Sequence, residues 1–252
     1  MNLKEKINSE LIPLGAWCRT AYQVNAFKKS NDIKTASFPY DWTITPFKAL
    51  ESTLNNEFEP FSILRYDNVE RSRFGSLVDT KTNIIHHHDF PAAKLKLLEE
   101  TAGINDKGLP LELYKTDLLD NAKSRFCHTY KNLTLLKKEQ KRLLFVRWQR
   151  SGHPDRQLPT AFENENILSL STIIEGFLGH DNFSILIVKS KTITEDLPEI
   201  TITEYNREER GVTATIIERK GFNGDGTNSF KGDEVSWRAL LTKFVTEEEE
   251  GV

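Results

Sequence analysis

Two short apolar runs decide the fold: RLLFVRW at residues 142–148 and FSILIV at residues 183–188. Successive side chains of a strand point to opposite faces, so both faces of these two strands are apolar. Strands of this kind usually lie in parallel sheets that helices cover on both sides. Residues 167–178, which lie between the two runs, carry a helical pattern, so the local order is strand, helix, strand.

Elements on either side extend this order. We expect strands over residues 10–15, 82–85, 200–205 and 212–217, and helices over residues 18–29, 109–136 and 235–245, with another starting near Pro46. The strand over residues 212–217 alternates enough to lie at an edge of the sheet. The sequence therefore predicts an α/β fold of three layers, with a mostly parallel sheet flanked by helices.

The length of 252 residues suits one large domain, which we expect over residues 1–246. Residues 247–252 begin with four glutamates and are predicted to form an acidic, mobile tail. Lysine and arginine total 34 against 37 for aspartate and glutamate, which argues against a nucleic-acid partner. No apolar stretch approaches the roughly 20 residues of a membrane-spanning helix. Residues 1–10 lack the apolar core of a signal peptide, so we expect a cytoplasmic protein.

Cys18 lies where the first predicted strand has ended and a helix begins. The N–H groups and the dipole of a helix N-terminus stabilise a thiolate, and Arg19 adds a positive charge. Ligands of open α/β sheets also bind beyond the carboxyl ends of the strands. Cys18 is therefore either a reactive thiol or, like many free cysteines, a small buried residue. Cys127, in an amphipathic stretch, is expected to be a packing residue.

Three consecutive histidines, His86, His87 and His88, precede Asp89. On a strand, His86 and His88 would share one face. One histidine could be the general base for a cysteine nucleophile, two with Asp89 could begin a metal site, or the run could be a solvated loop. No HExxH-like spacing supports a metal, and we predict none.

Residues 36–42, with the sequence ASFPYDW, combine three aromatic side chains with the carboxylate of Asp41. Asp41 could orient a histidine or bind a substrate hydroxyl, or it could cap the helix that starts near Pro46. Arg147 ends an apolar strand, where its planar guanidinium could bind an anionic or carbonyl group or pair with a structural carboxylate.

Neither of two glycine-rich patterns predicts a cofactor. Gly221, Gly224 and Gly226 have the spacing GxxGxG but do not open a helix after a first strand, so they are no dinucleotide fingerprint. A calcium loop in the same region would need glycine where Asn228 stands. We therefore expect no cofactor.

Four motifs together resemble the DUF1796 family of papain-like cysteine peptidases, a bacterial family. They are LGAWC at residues 14–18, SFPYDW at 37–42, HHDF at 87–90 and LFVR at 144–147. The family typically shows LG-x-x-C near its N-terminus, then a PFDW-like segment and a later histidine motif. Tyr40 stands where the family more often has phenylalanine.

The resemblance implies a cysteine-dependent hydrolase acting by covalent acyl transfer, with Cys18 as nucleophile and His88, or His87, as base. It also implies a papain-like α+β fold as the alternative to the parallel architecture. Asp41 or Asp89 would hold the imidazole, and backbone N–H groups at residues 17–19 would bind the oxyanion. The candidate substrate-binding residues, for a peptide, amide or glycan, are Trp17, Arg19, Tyr40, Trp42 and Arg147.

A second hypothesis is a sugar- or nucleotide-recognising transferase or binding protein. In it the aromatic rings of Trp17, Tyr40 and Trp42 stack on a sugar, and Asp41 and Arg147 bind hydroxyls or phosphate. A third is an interaction module without catalysis. The cysteine-enzyme hypothesis predicts that Cys18, Asp41 and one histidine converge in a single cleft at the carboxyl ends of the strands.

Overall fold

The structure is a computed structural model that describes residues 9–34, 36–55, 64–72, 75–149, 166–193, 202–219 and 233–250. The glycine-rich region over residues 221–226 lies outside these ranges. The strands are β1 (Glu10–Pro13), β2 (Val69–Arg71), β3 (Leu77–Asp79), β4 (Ile85–His86), β5 (Leu143–Gln149), β6 (Phe183–Ile193), β7 (Ile202–Glu208) and β8 (Gly211–Arg219). The α-helices are α1 (Cys18–Ser30), α2 (Phe47–Asn55), α3 (Ala92–Ala102), α4 (Leu118–Leu135), α5 (Ile167–Leu178) and α6 (Glu234–Glu250).

Within the described ranges, the larger sheet has five strands in the order β1–β5–β6–β8–β7. β1, β5, β6 and β8 run parallel to one another, and only β7 is antiparallel to its neighbour β8. The two apolar runs that predicted the sheet lie at its centre, where Phe145 of β5 is in register with Ile12 and with Ile185. The mostly parallel α/β architecture is confirmed.

Helices cover both faces of this sheet. On one face, Phe145 and Ile185 belong to an apolar cluster that includes residues of α2, α4 and α5. On the other, Val146 and Leu186 belong to a cluster with residues of α1 and α6. Consecutive strand residues thus enter different cores, which explains why both faces of the strands are apolar and why the fold has three layers.

The predicted helix over residues 167–178 has the same bounds in the structure, because a capping residue fixes each end. Asn166 caps its N-terminus by accepting the Ser169 N–H, and Gly179 ends it in a left-handed conformation, with φ at 77°. None of the described helices is both long and apolar enough to span a membrane.

The structure corrects two predictions. β8 does not lie at an edge, because β6 flanks it on one side and β7 on the other. Its alternation reflects one apolar face, which carries Val212, Ala214 and Ile216 against α6. Residues 247–250 are not a solvated tail but the last turn of α6, where the Glu248 side chain is buried and accepts hydrogen bonds from Ser184 and Arg207.

A second sheet was not predicted. Its three short strands pair antiparallel in the order β2–β3–β4. The expected strand over residues 82–85 is reduced to β4, which begins only at Ile85. This small sheet holds the histidine segment, because β4 leads directly into His87.

Candidate active site

Cys18 sits on a sharp corner between β1 and α1. Gly15 and Ala16 both have a positive φ of 68°, and α1 begins two residues later at Cys18. The corner is packed tightly: a Cβ atom on Gly15 would lie 3.0 Å from Thr45 Oγ1 and 3.1 Å from Tyr40 Cβ. Cys18 thus lies where the sequence predicts it, past the carboxyl end of a strand and at a helix N-terminus.

Arg147 fixes this corner from the neighbouring strand. Its side chain is fully buried and donates hydrogen bonds to the carbonyl oxygens of Leu14, at 2.6 Å, and Thr45, at 3.0 Å. The guanidinium therefore joins the end of β1 to the segment that follows Asp41. In this conformation the guanidinium is buried and binds backbone carbonyl groups, and the binding of a substrate group by Arg147 stays a prediction.

The histidine segment is tied to the same region by backbone pairing. Ile44 and Ile85 exchange two N–H···O hydrogen bonds, of 2.9 and 3.0 Å. Thr45 contacts the corner before Cys18, and its neighbour Ile44 holds the residue before His86. The segments that carry Cys18, Asp41 and the three histidines are thus neighbours in space.

The Cys18 thiol is largely enclosed, with 6% of the residue exposed. Burial raises the pKa of the Cys18 thiol, although the backbone N–H groups of Cys18 and Arg19 and the charge of Arg19 act in the opposite direction. The favourable groups expected at a helix N-terminus are therefore present, but desolvation outweighs them. The direction of the pKa shift of Cys18 is therefore opposite to the one that the helix N-terminus and Arg19 alone predict.

The three histidines have different environments. His86 is buried, and its Nδ1 lies 3.0 Å from Asp89 Oδ2, while its Nε2 has no partner among the described residues. His87 is exposed, with Nδ1 2.6 Å from Ser76 Oγ. His88 is at the surface, and its ring meets that of Trp42 edge-on at a centroid distance of 5.4 Å. Burial and the neighbouring His87 lower the pKa of the His88 imidazole.

Asp89 holds this segment in place. One carboxylate oxygen meets His86 Nδ1, and the other lies 2.6 Å from Arg125 Nη2 on α4. Of the two carboxylates expected to hold an imidazole, Asp89 therefore does so, and the histidine it holds is His86.

Asp41 holds no imidazole among the residues that the structure describes. Its Oδ2 accepts the N–H of Phe38 at 3.0 Å, and its Oδ1 has no partner among the described residues. Burial raises the pKa of Asp41 to about 7, against the smaller effects of the Phe38 N–H and of Lys28. The carboxyl group thus closes the turn over residues 38–41 from within the core.

The other predicted substrate-binding residues separate into two groups. Trp42 is the one predicted aromatic side chain that is well exposed, at 40%. Tyr40 is fully buried in this conformation and hydrogen-bonds Thr53 through its hydroxyl, and the stacking of its ring on a ligand stays a prediction. Trp17 packs against the second core cluster, and the Arg19 guanidinium lies 4.2 Å from the centre of the Trp148 ring.

A cavity of about 790 Å³ opens beside His88. Residues 36–43 form one wall and α4 forms the other, and the lining includes Trp42, His88 and Asp89. Neither Cys18 nor Asp41 lines it. Cys18, Asp41 and a histidine therefore do not line this cavity together, and their convergence in one cleft stays a prediction.

A polar pattern in the sequence marks the helix that forms the second wall of the cavity, although that pattern alone did not assign it to a site. Ser124, His128 and Asn132 recur every four residues along α4 and line the cavity together with Arg125. A polar stripe of this spacing lies on one helix face, where a solvent-exposed surface was the simpler interpretation. Among the residues that the structure describes, no group of three or more His, Cys, Asp or Glu side chains is arranged to hold a metal ion.

Comparison with known protein families agrees with the motifs. The sequence profile of the family described as "Putative papain-like cysteine peptidase (DUF1796)" matches residues 9–192, most of the chain. The chain belongs to this family. No curated protein and no solved structure matches it. The matched span includes the Cys18 corner, the Asp41 turn, the histidine segment and both walls of the cavity.

Proposed function

We propose that this member of the DUF1796 family is a cysteine-dependent hydrolase that cleaves peptide or related amide bonds by covalent acyl transfer. The observation that carries the proposal is the place of Cys18, at the first turn of α1 beyond the carboxyl end of β1. The family description supports a peptide as the substrate class.

In this mechanism the Cys18 thiol gives its proton to a base and its sulfur attacks the substrate carbonyl. The base returns the proton to the leaving amine as the C–N bond breaks, which leaves a thioester. Water then hydrolyses the thioester and restores the thiol. The backbone N–H groups of Cys18 and Arg19 face the thiol and are the donors for the oxyanion. The turn at Gly15 and Ala16 orients these donors, because it connects β1 to α1 within a few residues.

His88 is the general base of the proposal. The lowered pKa of its imidazole favours the neutral form, which is the form that can accept the thiol proton. His88 also faces the cavity, whereas His86 is enclosed by the rings of Phe90 and Phe126. Catalytic hydrogen bonds are often long in unliganded enzymes and shorten when substrate binds. We propose that substrate brings the imidazole and the thiol together.

Turnover of fluorogenic peptide amides and of p-nitrophenyl acetate by matched cysteine variants tests this function. Cys18→Ser should abolish turnover, because serine is similar in size but far less acidic, while Cys127→Ser should retain it. The melting temperature of each variant separates loss of chemistry from loss of fold. If Cys18 only packs the corner, its replacement costs roughly 1–3 kcal/mol of stability and activity per folded molecule survives. Unchanged turnover by folded Cys18→Ser protein excludes the proposal.

A further inference from the structure

The cavity beside His88 carries features that the proposed hydrolysis does not use. Its volume of about 790 Å³ is in the range of small-molecule sites. Its two walls are joined where Asn132 Nδ2 on α4 donates to the Ser37 carbonyl oxygen at 2.9 Å. The cavity is therefore a formed feature of the fold and not a gap between unconnected surfaces.

The charge of the cavity is balanced. Apart from two histidines, the ionised lining side chains are Asp89 and Arg125, which form an ion pair of 2.6 Å. A phosphate or carboxylate ligand would have to compete with Asp89 for the guanidinium. The lining thus favours a neutral ligand over a nucleotide.

The polar groups of the lining suit hydroxyls. The hydroxyls of Ser37, on one wall, and Ser124, on the other, have no hydrogen-bond partner among the described residues. The Asp89–Arg125 pair offers acceptors and donors side by side, and adjacent sugar hydroxyls can both donate to the carboxylate and accept from the guanidinium. Several such groups around one cavity match a ligand with many hydroxyls.

Trp42 supplies the apolar surface that such a ligand needs. Trp42 is 40% exposed, whereas the tryptophans at positions 17, 148 and 237 are more buried. The edge-on contact with His88 holds the ring at the cavity. A flat, exposed aromatic ring beside hydroxyl-binding groups is the combination that binds the C–H face of a sugar ring.

We propose that this cavity is a binding site for a neutral sugar ring, which stacks on Trp42 while its hydroxyls bind Ser37, Ser124 and the Asp89–Arg125 pair. Cys18 is not part of the site, so sugar binding can be measured apart from hydrolysis, although His88, the base of the proposed hydrolysis, also lines the cavity. If both proposals hold, the sugar lies beside His88, and the hydrolysed amide belongs to a glycan-linked substrate.

Titration of the full chain by calorimetry and saturation-transfer NMR tests the site. The sugar probes are glucose, galactose and N-acetylglucosamine, and AMP and N-acetylphenylalaninamide serve as nucleotide and peptide probes. We expect at least one sugar to bind with a Kd below about 10 mM and more tightly than AMP or the amide. Trp42→Ala should weaken this binding at least about tenfold, and Trp42→Tyr should keep it within about threefold.

Two control variants show whether sugar binding depends on the Trp42 ring in particular. Tyr114→Ala removes an aromatic ring that is 60% exposed and does not line the cavity, so it should leave the sugar Kd unchanged. Cys18→Ser should also bind the sugar normally, whether or not Cys18 is a nucleophile. The proposal is wrong if no sugar binds, if AMP or the amide binds more tightly than every sugar, or if folded Trp42→Ala protein binds sugar as the wild type does.

Discussion

Asp41 illustrates how burial at a single residue changes the behaviour of the protein with pH. Its carboxyl group is 2% exposed, and burial raises its pKa to about 7, against about 4 in an unfolded chain. Between these two values the folded state binds a proton that the unfolded state does not. The stability contribution of Asp41 therefore falls as pH rises from about 4 to about 7 and stays low above that.

Asp41→Asn isolates this effect, because the amide oxygen can still accept the Phe38 N–H while the group no longer ionises. When the pH is raised from about 5 to about 8, the unfolding free energy of the variant should increase relative to that of the wild type by on the order of 2–4 kcal/mol. Denaturant unfolding of both proteins at the two pH values measures the difference. If the two proteins differ in unfolding free energy by the same amount at both pH values, Asp41 is ionised in the folded protein over this whole pH range.

At the scale of single elements, the turn between β1 and α1 depends on Gly15. Its φ of 68° favours glycine, and an added Cβ would meet Thr45 and Tyr40 at 3.0 and 3.1 Å. Gly15→Ala should therefore cost about 1–3 kcal/mol of unfolding free energy. The matched control is Gly176→Ala in α5, where nothing lies within 4 Å of the added Cβ and alanine should stabilise the helix by up to about 1 kcal/mol. Equal effects of the two changes, measured by chemical denaturation, would mean that the corner is not strained.

The success of prediction also differed between elements, for physical reasons. The central strands and α5 were predictable because burial on both faces and capping residues leave strong local patterns. α3 was missed because only Leu95 in it is buried, so it has almost no apolar stripe. The small sheet was missed because strands of two or three residues are too short to show alternation.

The sequence predicts several residues of the candidate site but not the contacts between them. The motifs pointed to Cys18, Trp42 and the histidines, whose positions follow from local chain order. The link from Asp89 to Arg125 joins the histidine segment to α4, and this contact depends on tertiary packing. The burial of Tyr40 and Arg147 likewise depends on the core around them and leaves no local signal.

At the scale of the whole molecule, the C-terminal helix is tied to the sheet by a buried carboxylate. Glu248 accepts a hydrogen bond from Ser184 at 2.6 Å and pairs with Arg142 at 2.7 Å and Arg207 at 2.8 Å. Its partners lie on or beside three different strands, so the last turn of α6 joins both halves of the sheet.

Glu248→Gln should destabilise the protein by about 1–3 kcal/mol. This loss is smaller than that from breaking a fully buried ion pair, because both arginines are partly exposed. Glu250→Gln, two residues further on and exposed, should change stability by less than about 0.5 kcal/mol. Thermal and denaturant unfolding of the two variants makes the comparison. Indistinguishable stabilities would support the solvated tail that the sequence alone suggested.

The central claim, that Cys18 is an activated nucleophile, is tested most directly by acetylation with p-nitrophenyl acetate, followed by peptide mapping in a mass spectrometer. Its thiol would attack the ester carbonyl, release p-nitrophenolate and retain the acetyl group as a thioester. Cys127 is an internal control, because it is more exposed and burial raises the pKa of its thiol as well. We predict that Cys18 is acetylated first and that His88→Ala slows its acetylation about 100-fold or more. Faster labelling of Cys127, or labelling of Cys18 at the same rate without His88, would contradict it.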